Sequence, residues 1–137
     1  MKIIAYLFFP GTCAEACRFY EKALGARIVA MMPHAGTPAE PHVPAEWRDK
    51  IMHARLAVGD AEIMASDSPP DHQKTPQGFA VSLHVESEAE AERVFKALAE
   101  GGTVTMAMAP TFWAKRFGML TDRFGIPWMV NCDAAPA

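Results

Sequence analysis

The chain has 137 residues, 50% hydrophobic and 21% charged, a balance that suits one domain or two small repeats and excludes wholesale disorder. With 13 Lys and Arg against 16 Asp and Glu, the net charge of -3 offers no footprint for a phosphate backbone, so no nucleic acid partner is expected. Cys13, Cys17 and Cys132 form no CxxC pair, which argues against a disulfide scaffold or structural zinc and for a reducing, cytoplasmic setting.

The apolar run Ile3 to Phe9 follows a single lysine and reads as a first strand, being too short and too weakly charged for a signal peptide. Thr12 with Glu15 fits a capping box, and behind it Ala16, Phe19, Tyr20, Ala23 and Leu24 recur at helical spacing up to a stop at Gly25. Strand-like runs follow at Ala26 to Met32, Ile51 to Val58 and Ala61 to Ser66, with a turn at Gly59-Asp60. The four prolines between Met32 and Ile51 predict a loop with one helical turn near Ala45 to Arg48, of the kind that often shapes a binding site. A polar stretch from Asp67 to Gly78 reads as a linker.

The second half repeats this order. Phe79 to Val85 is a strand. Ser87 with Glu90 is a second capping box, and Ala91, Val94, Phe95, Leu98 and Ala99 form a second apolar stripe, closed by Gly101-Gly102. Thr103 to Met108, Gly118 to Thr121 and Ile126 to Cys132 read as strands, with Asp122 shaping the turn that ends at Gly125. AEACRFY at Ala14 to Tyr20 recurs as AEAERVF at Ala89 to Phe95, at the displacement that separates Thr12 from Ser87. Each half is therefore predicted to be β-α-β-β-β, within one domain over 1–137: a module over about 1–68, a linker over about 69–77 and a module over about 78–132. No stretch approaches the ~18 apolar residues needed to span a bilayer, so no membrane insertion is expected.

The duplicated unit, the Phe19-Tyr20 pair and the DRFG turn at Asp122 to Gly125 resemble the glyoxalase, bleomycin-resistance and extradiol-dioxygenase superfamily, the vicinal oxygen chelate fold. WRDKIMHARL at Trp47 to Leu56, MASD at Met64 to Asp67 and PTFWAKRFGMLTDRFGIPWMVNC at Pro110 to Cys132 are similar to its PhnB-like branch. The resemblance implies an α+β fold in which two βαβββ modules form curved mixed sheets around a ligand cavity, and it implies a homodimer. It also implies a divalent metal in most catalytic members, held from the first and last strands of each unit. Those positions fall near Ala5, Met64, Ala80 and Met129, none of them a hard-metal ligand. Their immediate neighbours are no better, and a slip of two residues brings in Glu62, Ser82 and Asn131, one carboxylate and two weak ligands. No metal and no cofactor are therefore expected. The chain also lacks the glycine-rich strand-to-helix loop that cradles a nucleotide.

Strand alternation turns Ile63, Ala65, Val81, Leu83, Val85, Ile126, Trp128 and Val130 toward the helices, and Glu62, Met64, Ser66, Ser82, His84, Met129 and Asn131 toward the cavity. A solvent-facing side of a sheet would show the same mixture. His84 interrupts an apolar strand and could exchange protons near neutral pH, although a hydrogen-bonded surface histidine fits the same pattern. His53 and Arg55, two residues apart, could hold an anion from one strand face, and Trp113 with Phe112 and Phe117 could line a cavity mouth. Cys13 and Cys17, one helical turn apart, read as packing residues, and His34, His42 and His72 carry no predicted role. The expected function is metal-free binding of an unidentified small molecule. Two alternatives stand beside it: a lyase or isomerase using Glu62, His84 or an atypical metal, and a resistance protein that sequesters a toxic compound.

Overall fold

The computed structural model describes residues 1–134. The strands and helices follow one order twice: β1 (Ala5–Phe9), α1 (Cys13–Leu24), β2 (Arg27–Pro33), β3 (Ile51–Val58) and β4 (Ala61–Asp67), then β5 (Val81–Val85), α2 (Glu88–Ala99), β6 (Thr103–Ala109), β7 (Ala114–Thr121) and β8 (Pro127–Asp133). Two compact units result, one over Met1–Lys74 and one beginning at Thr75. Each contains a four-stranded mixed sheet, in the orders β1-β4-β3-β2 and β5-β8-β7-β6. In both, the strand before the helix runs parallel to the last strand, and the other pairs are antiparallel. This is an α+β architecture with the βαβββ module written twice.

Helix α1 buries Cys13, Ala16, Cys17, Tyr20 and Ala23, a stripe with the 3.6-residue period of an amphipathic helix. It packs on β3, β2 and β4, where Ala54, Leu56, Ile63 and Ala65 are buried, joined by Leu7 and Phe9 of β1. Burying a side chain as large as Tyr20 or Phe9 contributes about 1.5–3 kcal/mol, so this layer holds the first unit together. Gly25 ends the helix in the left-handed region at φ 66°, which a residue with a Cβ enters only at a cost.

The start of α1 departs from the expected capping box. Thr12 makes no side-chain cap, and the Asp67 carboxylate does that work: Oδ1 accepts the Cys13 backbone N–H at 2.9 Å and Oδ2 accepts that of Ile51 at 2.8 Å. The parallel register of β1 with β4 sets Asp67 opposite Phe9, close to the helix start. A carboxylate there gains both charge-assisted bonds and the favourable end of the helix dipole. Asp67 therefore belongs to β4 and to the core, and the polar linker starts after it, one residue later than predicted.

In the second unit α2 buries Ala91, Val94, Phe95 and Leu98, and Ser87 Oγ accepts the Glu90 backbone N–H at 3.1 Å, as the second capping box predicts. Trp128, Val130, Leu120 and Ile126 complete this core. Strand β7 begins at Ala114, earlier than the predicted Gly118. Lys115 and Arg116 hide this stretch in the sequence, but Arg116 ion-pairs with Glu92 of α2, so a charged side chain covers the helix at that position. The loop between β2 and β3 carries short 3-10 turns at Glu40–His42 and Ala45–Trp47, the second where a turn was expected. His34, buried in this loop, bonds the Lys50 carbonyl through Nδ1 at 2.8 Å and is structural.

Candidate functional site

Each sheet has one face covered by its helix and one face free of it. In the first unit, alternation from Leu7 and Phe9 sends Tyr6 and Phe8 to the helix-free face, where Tyr6 stands opposite Met64 and Met64 opposite Arg55. The Tyr6 hydroxyl lies 2.9 Å from His53 Nδ1, and the two rings lie 5.7 Å apart. Arg55 Nε lies 3.4 Å from Glu62 Oε1. Tyr6 also contacts Phe8, at 5.0 Å between ring centroids. His53, Arg55, Glu62 and Met64 therefore share one face, and Ser66, opposite Phe8, has the same parity but is buried. Tyr6 and Phe8 extend this set beyond the predicted residues. Phe8 is 54% and Tyr6 37% exposed, so two aromatic rings are presented rather than buried.

In the second unit Ser82 pairs with Met129 and His84 with Asn131, so all four predicted residues share the helix-free face. Ser82 Oγ lies 3.0 Å from His84 Nε2. On the other side of the ring, His84 Nδ1 lies 3.4 Å from Asn131 Nδ2 and 3.9 Å from the Asp133 carboxylate, and Asn131 Nδ2 donates to that carboxylate. Asp133 completes the cluster and is absent from the predicted set. Trp113 stacks edge-on with Phe112 at 4.8 Å and Phe117 at 5.3 Å, and Phe117 stands opposite Asn131, so Trp113 joins the same unit's polar cluster through one aromatic ring.

The divalent metal implied by the family resemblance does not fit these residues. The strands correct one expected position: Ala5 shares the parity of the buried Leu7 and Phe9, and Tyr6 is the residue opposite Met64. Ala80 precedes β5. A hard cation needs several carboxylates or imidazoles converging with open valences. Here His53 is bonded to Tyr6 and Glu62 is paired with Arg55, while Met64 and Met129 offer only thioethers. Among the described residues, no group of three or more His, Cys, Asp and Glu side chains is placed to hold a metal ion. Among them, too, no helix is long and apolar enough to cross a membrane.

Comparison with known proteins places the chain. The model of the Glyoxalase/Bleomycin resistance protein/Dioxygenase superfamily matches residues 2–130. Protein YjdN of Escherichia coli K12 is 34% identical over 96% of this chain and 95% of its own length. The crystal structure of protein PA1353 from Pseudomonas aeruginosa is 52% identical, covers 97% of this chain and 98% of that one, and superposes with a TM-score of 0.88. The PhnB protein from Bacillus cereus is 26% identical with a TM-score of 0.80, over 96% of this chain and 99% of that one. The chain belongs to the glyoxalase/bleomycin resistance protein/dioxygenase superfamily, the vicinal oxygen chelate fold, in its PhnB-like branch.

Proposed function

We propose that this protein binds a small organic molecule through helix-free sheet faces, without the divalent cation used by most catalytic members of its superfamily. The observation that carries this function is the pairing of exposed aromatic rings with oriented polar groups: Tyr6 and Phe8 beside His53 and Arg55. Apolar area supplies most of the affinity of such a face, and a few fixed polar groups orient the ligand. His53 is hydrogen-bonded to Tyr6 and so is set in place before a ligand arrives, while Arg55 lies in an ion pair with Glu62 in which its Nε makes no hydrogen bond. A thermal-shift screen of small metabolites tests this, because a ligand that binds only the folded state raises the melting temperature. A hit whose effect is lost in Phe8→Ser and Tyr6→Ala supports the proposal. Hits that leave both variants unchanged contradict it.

A second function, acid–base catalysis, is favoured by one observation, the order Ser82, His84, Asp133 around a single imidazole. With Asp133 facing Nδ1, the Nε2 position can exchange a proton with Ser82 or with a ligand beside it. Turnover of the thermal-shift hits, lost in His84→Ala, distinguishes catalysis from sequestration of a toxic compound, which would stabilise the fold and release no product. A homodimer completes the proposed function, its basis being that strands with one unpaired edge, such as β2 and β6, end each sheet, and three unpaired cysteines suit a reducing, cytoplasmic setting. Light scattering on the purified protein measures the assembly.

A further inference from the structure

Two thiols meet inside the first unit. Cys13 and Cys17 stand one turn apart on α1, both are buried, and their sulfurs lie 4.0 Å from one another. The backbone of Cys13 is fixed by Asp67 Oδ1, which accepts its N–H at 2.9 Å. The second unit has no such pair. At the displacement that separates Thr12 from Ser87, Cys13 corresponds to Glu88 and Cys17 to Glu92, and both glutamates are exposed. The first unit also carries the long loop between β2 and β3, which the second replaces by a short turn between β6 and β7. The end of that loop reaches the start of α1: Lys50 Nζ donates to the Gly11 carbonyl at 3.0 Å, and Ile51 shares the Asp67 carboxylate with Cys13.

The spacing of the sulfurs suits a bridging ion better than a direct bond. A disulfide needs Cβ atoms about 3.5–4.5 Å apart, whereas residues four apart on a helix hold them about 5–6 Å apart. Bonds from thiolate sulfur to a metal such as zinc run to roughly 2.3 Å, so two of them span the observed 4.0 Å at an angle of about 120°. Two sulfurs alone do not suit zinc, whose structural sites take four donors. Both oxygens of Asp67 are taken by backbone N–H groups, and among the described residues no group of three or more His, Cys, Asp and Glu side chains is placed to hold a metal ion. A soft ion of low coordination number, for which thiolate is a preferred donor, fits the pair.

Charge supports the same reading. The hydrogen bond between the sulfurs pushes the Cys13 thiol up and lowers that of Cys17, so the pair holds one proton between two sulfurs. A monovalent cation in place of that proton leaves the buried charge unchanged. Asp67 and Glu21 add negative charge around the pair, against the single positive charge of Arg18.

We propose that Cys13 and Cys17 form a two-coordinate site for a soft monovalent cation of the cuprous class. Two sulfur–metal bonds form, the shared proton leaves to solvent, and no electron is transferred. The ion enters by local opening of the first turn of α1, since helix ends open far more readily than the core. The site lies on the helix-covered side of the sheet and is independent of the organic ligand proposed for the other face.

Silver(I), a soft cation that does not change oxidation state under these conditions, is the probe. The full chain, labelled with carbon-13 at the cysteine Cβ atoms, is titrated with silver nitrate in chloride-free buffer and followed by NMR. The Cβ resonances of Cys13 and Cys17 should shift together and saturate at one ion per chain, while that of Cys132 stays in place. Cys17→Ala should weaken binding at least a hundredfold, and Cys132→Ala should leave it unchanged. Silver held by methionine or histidine side chains would leave the Cys13 and Cys17 resonances unshifted, and that result overturns the proposal, as does wild-type affinity in Cys17→Ala or no binding at all. Should Cys17→Ala fail to fold, the wild-type Cβ shifts decide alone.

Discussion

Asp67 closes the amino end of a helix that begins 54 residues before it, accepting the Cys13 backbone N–H at 2.9 Å. Its second oxygen holds Ile51 at the start of β3, so one carboxylate ties together α1, β3 and β4. Asp67→Ala leaves two backbone N–H groups without partners and should cost about 3 kcal/mol of unfolding free energy in urea. Asp67→Asn, which keeps one acceptor, should cost less than half as much. Equal stability of Asp67→Ala and wild type would show that Thr12 or water caps the helix instead.

The second unit has its own buried carboxylate. Asp122 Oδ1 accepts from the backbone of Phe124 at 2.8 Å and Ile126 at 3.0 Å, and Oδ2 accepts from the Trp128 indole at 2.8 Å. Asp122→Asn can keep the turn but presents an amide N–H₂ to the indole donor. A loss of about 1–3 kcal/mol is expected, together with a shift in Trp128 fluorescence. Unchanged emission would mean that the indole is not bonded there.

Gly118 is required by packing. A Cβ at this position would lie 2.6 Å from Met108 Sδ and 2.7 Å from Phe95 Cε2. Gly118→Ala should destabilise by about 1–3 kcal/mol, and adding Met108→Ala should restore part of the loss because the flexible thioether is one of the two obstacles. Additive losses in the double variant would place the clash on Phe95 alone.

The Cys13 thiol is held in its protonated form well above the ordinary value by its contact with the Cys17 sulfur at 4.0 Å, by burial and by the Asp67 carboxylate. A thiol in the unfolded chain ionises near its ordinary value of 9.0, while the folded one does not. The same contact lowers Cys17, so the two sulfurs hold one proton between them, and it is loss of that last proton, borne by Cys13, that the fold resists; stability falls as pH rises above 9.0. Urea unfolding from pH 8 to 10 should show a steeper alkaline loss in wild type than in Cys13→Ala. Parallel curves would mean that Cys13 ionises equally in both states.

Much of the fold could be read from residue order because local rules and tertiary packing agree. The stripes Ala16–Tyr20–Ala23 and Ala91–Val94–Leu98 are buried as their spacing predicts, and the alternation that turned Ser82, His84, Met129 and Asn131 to one face agrees with the strand register. Ser87 caps α2 because its partner is three residues away. The cap of α1 was not legible, since Asp67 reaches it only through the pairing of β1 with β4. Tyr6 was hidden for a related reason: within an unbroken apolar run, nothing marks which aromatic ring will meet His53, 47 residues away. Asp133 shares the parity of Met129 and Asn131, and it was hidden because the apolar run that marks the last strand stops at Cys132, one residue short of it.

Metal analysis of protein purified without chelators tests the central proposal most directly. Manganese, iron, cobalt, nickel and zinc should each be found far below one ion per chain, and adding them should not raise the melting temperature. A stoichiometric divalent ion that is lost on substituting His53 or His84 would contradict it.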